Sequence, residues 1–321
     1  MKSFMPLVFA AGCSAASSLP DYVLTYAPVV WLDVNETYFP SDIGAQLDSS
    51  NSYPAVNYTR ISDYPTPLTL DNLDQLNDLG NTSVYITSNQ GIAANPSWFA
   101  GVQPDSDGKS GDATSCAIVT FDHGNGIVDA FYFYFYAYNK GDKVVGIWFG
   151  DHVGDWEHNM IRFDNGEPQA LWYSQHAGGE AFTYNATLKI NERPVAYSGR
   201  GTHANYAIEG KHDHAIPGHN LPDGFVVDYT SNGTLWDPTG NYYAYSYDNS
   251  TTKFTAYDSS YPVNWLYFNG QWGDIQVANQ TGIFGEYTYT SGPNGPKFKG
   301  LVRDNVCPNG NDCDVKDYLT W

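Results

Sequence analysis

Basic residues are scarce in this sequence: 15 Lys plus Arg stand against 35 Asp plus Glu in 321 residues, a formal net charge of -20. A nucleic-acid binder needs a basic surface to displace counterions from phosphates, so nucleic-acid binding is disfavoured. The same deficit argues against steering toward an anionic membrane surface, whereas divalent cations and neutral glycans stay compatible. Long apolar runs are missing as well. No stretch beyond the N-terminus approaches the roughly 20 apolar residues that cross a bilayer, so no transmembrane segment is expected. A nucleophile elbow, a phosphate loop, an HExxH segment and a dinucleotide fingerprint are all absent, which argues against serine hydrolases, nucleotide enzymes and zinc proteases. Helical periodicity is nearly absent. Its best instance, Leu70, Leu73, Leu76 and Leu79 closed by Gly80, predicts one short surface helix.

Cysteine is sparse too, with four residues. Residues Met1 to about Ser17 read as a signal peptide: Lys2, the apolar run Phe4 to Ala11, then Ser14, Ala15, Ala16 and Ser17. Its removal takes Cys13 and changes the net charge from -20 to -21 by loss of Lys2. In an oxidising compartment the loop Cys307-Pro-Asn-Gly-Asn-Asp-Cys313 is the obvious disulfide, because its intervening residues are turn formers. Cys116, in the apolar run Cys116 to Phe121, then reads as a buried inert thiol. Seven Asn-x-Ser/Thr sequons, at Asn35, Asn57, Asn81, Asn185, Asn232, Asn249 and Asn279, agree with entry into the secretory pathway. The expectation is an extracellular or vacuolar N-glycoprotein, with segments bearing glycans at exposed loops or edges. Residues 18–321 should form one domain.

Aromatic residues, by contrast, are plentiful: nine Trp, 26 Tyr and 16 Phe give ample apolar surface for a core. Short runs of Val, Ile, Tyr, Phe and Thr broken by Gly, Pro, Asn and Asp predict an all-β fold, a mainly antiparallel β-sandwich with one or two short helices. The clearest strand is Phe131 to Tyr138. Phe131, Phe133 and Phe135 point to one side, and Tyr132, Tyr134, Tyr136 and Tyr138 to the other. The Phe side should meet the core, and the phenol hydroxyls need partners in a second layer or a wet cleft.

All eight histidines lie between His123 and His219. Histidine is both a metal ligand and the side chain that changes charge near neutral pH, so this crowding points to a site. Within it, Gly150-Asp-His-Val-Gly-Asp-Trp-Glu-His158 carries Asp155 and Glu157 one residue apart, on one face of a strand, with Trp156 and His158 on the other. Carboxylates so placed suit Ca2+, Mg2+ or Mn2+. Downstream, Asp164-Asn-Gly-Glu167 is a strong hairpin turn. A two-residue Asn165-Gly166 loop would set Asp155 opposite His176 and Glu157 opposite Ser174, with Gly178 and Gly179 allowing close backbone approach. Asp142, on a loop after the aromatic strand, offers a third carboxylate. Gly201-Thr-His-Ala-Asn-Tyr206, His212-Asp-His214 and His219 form a second polar cluster; a His-x-His spacing alone is a weak metal signal. If the clusters share one cleft, His176 and His203 are the residues expected to act on a ligand as general acid or base.

The segment from Gly150 to Tyr184, with GDHVGDWEH and SQHAGG, resembles the necrosis- and ethylene-inducing peptide-like proteins, marked by a Gly-His-Arg-His-Asp-Trp-Glu heptapeptide. That resemblance implies a β-sandwich with a divalent-cation site that contacts sphingolipid glycan headgroups, and maps the cation ligands onto Asp142, His152, Asp155 and Glu157. Gly154 stands where the motif has its second His. A longer resemblance, through Tyr26 to Leu32, Tyr38 to Asp42, Tyr138 to Asp142, GDHVGDWEH, Arg193 to Tyr197, Gly201 to Tyr206 and His212 to His214, is to the fungal vacuolar protein sorting-associated protein 62 family, and implies a link to vacuolar delivery.

Three functions fit these residues. The first is a cation-assisted site binding a glycan or glycolipid headgroup. The second is a metal-dependent polysaccharide hydrolase or lyase. The third is an accessory factor in vacuolar protein sorting whose polar cluster only holds the fold.

Overall fold

The computed structural model describes residues 18–144, 146–213, 224–280, 287–310 and 312–320. The expected signal peptide, His214 and His219 lie outside the described residues.

The aromatic run forms the long strand Ile127–Asn139, and its pattern decides the architecture. It lies inside an eight-stranded sheet, between Cys116–Gly124 on one side and His152–Asp164 on the other. Phe131, Phe133 and Phe135 join Leu73, Val84, Ile86, Trp265 and Trp272 in one core. Tyr132, Tyr134 and Tyr136 join Val30, Leu32, Ala196 and Trp236 of a second, five-stranded sheet in another. Both faces are therefore covered. On the tyrosine side the hydroxyls find the partners that burial demands: Tyr132 donates to the Val23 carbonyl at 2.6 Å and Tyr134 to Asn159 at 3.0 Å.

The sandwich is mixed rather than purely antiparallel. Tyr242–Asp248 runs parallel to Cys116–Gly124, and Val29–Leu32 parallel to Arg193–Ser198. The leucines at spacing three form the 3-10 turn Leu73–Leu76, continued by one α turn at Asn77–Gly80. A repeat of three is the 3-10 period, and Leu73 and Leu76 are wholly buried while Leu79 is exposed. A second short helix spans Asp21–Thr25.

The C-terminal tail wraps the sheet. Val315–Lys316 adds an edge strand beside Gly178–Thr183, and Cys307 and Cys313 are joined as a disulfide. Cys116 is a free, buried thiol whose pKa burial raises. All seven sequon asparagines are exposed.

Candidate functional site

The Asn165-Gly166 hairpin forms with Glu167 opposite Asp164 and Pro168 opposite Phe163. There the expected register ends. Ala170 pairs with Arg162, so Gln169 is an extra residue bulged out of the ladder, and Tyr173 meets Asn159. Pro168 has no N–H to donate, which favours a break at this point. The shift removes the expected pairing of Asp155 with His176. The hairpin ladder ends at Asn159, and on the other edge of the motif strand Asp155 pairs with Tyr136 and Glu157 with Tyr134. His176 sits at the tip of the next hairpin, between the paired residues Gln175 and Gly178, with φ +49°.

Strand alternation nevertheless acts as expected on the motif strand His152–Asp164. Trp156 packs on Phe135 at 4.7 Å and His158 on Phe133 at 5.3 Å, so Asp155 and Glu157 face the tyrosine side. There a cleft of about 590 Å³ opens, lined by Asp142, His152, Asp155, Glu157, His176 and Lys299 among others. The four expected cation-site residues thus share one cleft with His176.

Their environments differ. Burial pushes the Asp155 carboxyl up, but His203, His152 and Lys299 outweigh it and hold the group below its usual range. Glu157 is pushed up to about 8, first by burial and then by the charge of Asp155, against the opposing pull of Lys299, Ser174 and His176. Its Oε2 is buried and has no hydrogen-bond partner. His152 donates from Nδ1 to the Gly154 carbonyl at 2.7 Å, since a carbonyl only accepts. Burial lowers its pKa.

His203 lies beneath the cleft rather than in it. It is wholly buried, with Nδ1 2.9 Å from Asp155 and Nε2 2.9 Å from the Tyr38 carbonyl. With both nitrogens engaged away from solvent, it orients Asp155 and has no free edge for a ligand.

The tightest ligand set is different from the expected quartet. Among the described residues, Asp142, His176 and Asp228 each offer a ligand atom, all within 4.8 Å of one another. Asp228 is buried in a dense network: Thr202 donates to Oδ1 at 2.5 Å, Tyr206 to Oδ2 at 2.5 Å, and His176 Nε2 lies 2.7 Å from Oδ2. Burial pulls the His176 pKa down, but the bond and charge of Asp228, with Glu157 and Asp142, raise it to about 9. Asp142 is fixed from behind: the Gly141 N–H and Lys140 ammonium bind Asp151 at 3.0 and 2.7 Å, and Tyr138 donates to the same carboxylate at 2.7 Å.

The two polar clusters of the sequence therefore meet, through Asp228 and through His203 beneath Asp155. Asp228, Lys299 and the anchoring role of Asp151 were not foreseen. Asp151 belongs to the Gly150–His158 motif, whereas Asp228 and Lys299 stand in segments with no distinguishing pattern.

A β-sandwich with an acidic, histidine-bearing cleft at one end of its central sheet is the class that this fold and site define. Residues 124–283 match the family model described as Vacuolar protein sorting-associated protein 62. Two Saccharomyces cerevisiae proteins align over most of the chain. TDA6 is 34% identical over 337 residues, covering 94% of this chain and 70% of the relative. Vacuolar protein sorting-associated protein 62 is 34% identical over 322 residues, covering 90% and 68%. The chain belongs to the vacuolar protein sorting-associated protein 62 family. Among solved structures, Necrosis and Ethylene inducing Protein 2 from the causal agent of cocoa's Witches Broom disease aligns with TM-score 0.29 and 12% identity over 60% of this chain and 70% of that one. NLPPya in complex with glucosamine aligns with TM-score 0.27 and 11% identity over 72% and 85%. At such scores neither likeness carries an inference about ligand or activity.

Proposed function

We infer that this protein is a glycoprotein of the secretory route to the vacuole whose cleft binds a glycan or glycolipid headgroup with the help of a divalent cation. The observation that carries this reading is the convergence of Asp142, His176 and Asp228 at the cleft that also holds Asp155 and Glu157. Two carboxylates and an imidazole form a donor set that suits Mn2+ better than Ca2+, which prefers oxygen alone. The unpartnered buried oxygen of Glu157 is a second polar atom in want of a ligand. When bound, a cation held by three side chains would offer its open positions to paired sugar hydroxyls. The residues of the chain do the rest: Thr202 and Tyr206 fix Asp228, Asp151 fixes the Asp142 loop, and the cleft is of a size that encloses a small ligand. The names of the two yeast relatives support the vacuolar assignment, and seven exposed sequons support passage through the secretory pathway.

A metal-dependent hydrolase or lyase is the second reading, favoured by one observation. Asp155 is held ionised while Glu157, one residue away on the same face, keeps its proton to about pH 8. Carboxyls with pKa values pushed apart are what general acid and base roles require. A panel of polysaccharides and glycolipids, incubated with the full protein with and without chelator, separates the two. Retention without product supports binding, and released product supports turnover. Retention that is indifferent to chelator overturns the role of the cation.

A further inference from the structure

Beyond the Asp142 loop lies a second groove, of about 580 Å³, walled by Trp148, Phe225 and Tyr229 with Lys140, Lys143 and Arg200 at its edge. The three aromatic side chains are 37%, 44% and 40% exposed, so each keeps apolar surface open around one concavity. Cations crowd these rings. Lys140 and Lys143 lie 4.3 and 5.4 Å from the Trp148 ring centre, and Arg200 and Lys211 lie 5.3 and 5.8 Å from that of Tyr229. Four of the 15 Lys and Arg of a chain with net charge -20 are therefore gathered at one place.

The positive charge there is not simply cancelled. Lys140 is paired with Asp151 at 2.7 Å, but Lys143, Arg200 and Lys211 are exposed and make no ion pair among the described residues. One wall carboxylate, Glu36, is enclosed: Thr37 and Tyr38 N–H groups donate to one oxygen and Gly201 N–H to the other, each at 2.8 Å. Asp142 is shared with the first cleft and directs its negative charge to the cluster with His176 and Asp228.

We propose that this groove binds a saccharide bearing an anionic substituent, a phosphate or a carboxylate, independently of any cation in the neighbouring cleft. Aromatic surfaces receive the C–H face of a sugar ring, and a guanidinium such as Arg200 receives the planar fork of a carboxylate or two phosphate oxygens. Asn35, a sequon residue, lies on the rim, so a glycan attached there would stand beside the groove.

The test titrates glucose 6-phosphate, glucuronate, glucose, inorganic phosphate and AMP calorimetrically into the Asn35→Gln protein in EDTA. The two anionic sugars should bind, and glucose and inorganic phosphate should each bind at least about tenfold more weakly, since each lacks one half of the recognition. Arg200→Glu and Tyr229→Ala should each weaken the anionic sugars about tenfold or more, while Arg200→Lys, which keeps the charge but loses the planar fork, should weaken them by less than Arg200→Glu. All three positions are at the surface, and unchanged melting temperatures show that the variants fold. Glucose or inorganic phosphate binding as tightly as glucose 6-phosphate overturns the proposal, as does tighter binding of AMP, affinity unmoved by Arg200→Glu and Tyr229→Ala, or no binding of any probe. Binding that is lost in EDTA and regained with Mn2+ assigns the ligand to the first cleft and also overturns it, leaving the cation-assisted reading intact.

Discussion

Asp155 rests on His203, with its Oδ2 2.9 Å from the Nδ1 of a ring that is stacked on Tyr136 at 3.7 Å. The other ring nitrogen faces the Tyr38 carbonyl, which only accepts, so that nitrogen carries a proton. Burial alone would lower the His203 pKa, but Asp155 and Glu36 outweigh it and raise it. The pair is therefore a buried imidazolium and carboxylate. His203→Phe keeps a ring on Tyr136 and leaves Asp155 buried without its counter-charge. Its expected cost is about 3–5 kcal/mol, the range for breaking a buried pair. Urea denaturation measures it, and a variant as stable as the parent would show that Asp155 does not depend on His203.

The cation reading makes a prediction about which carboxylates matter. Ion binding to the folded state should stabilise it by about 2.7 kcal/mol when free ion stands a hundredfold above its dissociation constant. Chelator should lower the melting temperature and Mn2+, Mg2+ or Ca2+ should restore it. Asp142→Asn and Asp228→Asn should abolish that increment. Asp155→Asn should preserve it, because Asp155 is already committed to His203. If Asp155→Asn removes the increment and Asp228→Asn does not, the ligands are those expected from the sequence instead of the trio that the structure brings within 4.8 Å.

Gly154 explains a departure in the motif. Its φ is +69°, and a Cβ built on it would stand 2.0 Å from the Trp272 carbonyl oxygen. A side chain there meets both left-handed strain and backbone, so no histidine fits where the related heptapeptide has one. Gly154→Ala should cost about 2–5 kcal/mol, adding roughly 1–2 for the left-handed conformation to 1–3 for overpacking. Chemical denaturation with a loss under about 1 kcal/mol would mean that the Trp272 segment moves aside easily.

Much of the scaffold was legible because period and turn chemistry are local. The alternating rings from Phe131 to Tyr138 identified a central strand, which the structure covers on both faces, and Asn165-Gly166 identified the hairpin. The register beyond Gln169 was not legible. Pro168 marks where the ladder can break but not whether a residue slips there, so the expected partnership of Asp155 and His176 failed even though both side chains reach one cleft. Asp228 was hidden for another reason. It stands 52 residues from His176, and only the packing of a separate two-stranded ribbon, where it pairs with His212, brings it there. The placement of His203 shows the converse: its residue type announced chemistry, but wholly buried surroundings made it a support.

His158, on the opposite face of the motif strand, should make the fold sensitive to acid. Arg303 from the C-terminal tail donates to its Nε2 at 2.9 Å, and since a guanidinium cannot accept, the ring is neutral with its proton on Nδ1. Burial, then Arg303, then Lys299 hold its pKa well below the ordinary 6.5. The sign follows from which state binds the proton. Below about pH 6.5 the unfolded chain protonates this histidine and the folded protein does not, so stability falls with pH by up to about 1.4 kcal/mol per unit. His176 and His203 act in the opposite sense, because their folded pKa values are raised and their contribution is lost as pH rises. The wild-type profile is thus a difference of terms, and a substitution isolates one. His158→Gln keeps an acceptor for Arg303 but has nothing to titrate. Whatever it costs at pH 7, the stability of wild type relative to this variant should fall by up to about 1.7 kcal/mol between pH 6.5 and pH 5. Urea denaturation of both proteins at several pH values reads that gap directly, and a gap that stays constant would show that His158 takes up its proton in the folded protein as readily as in the unfolded chain.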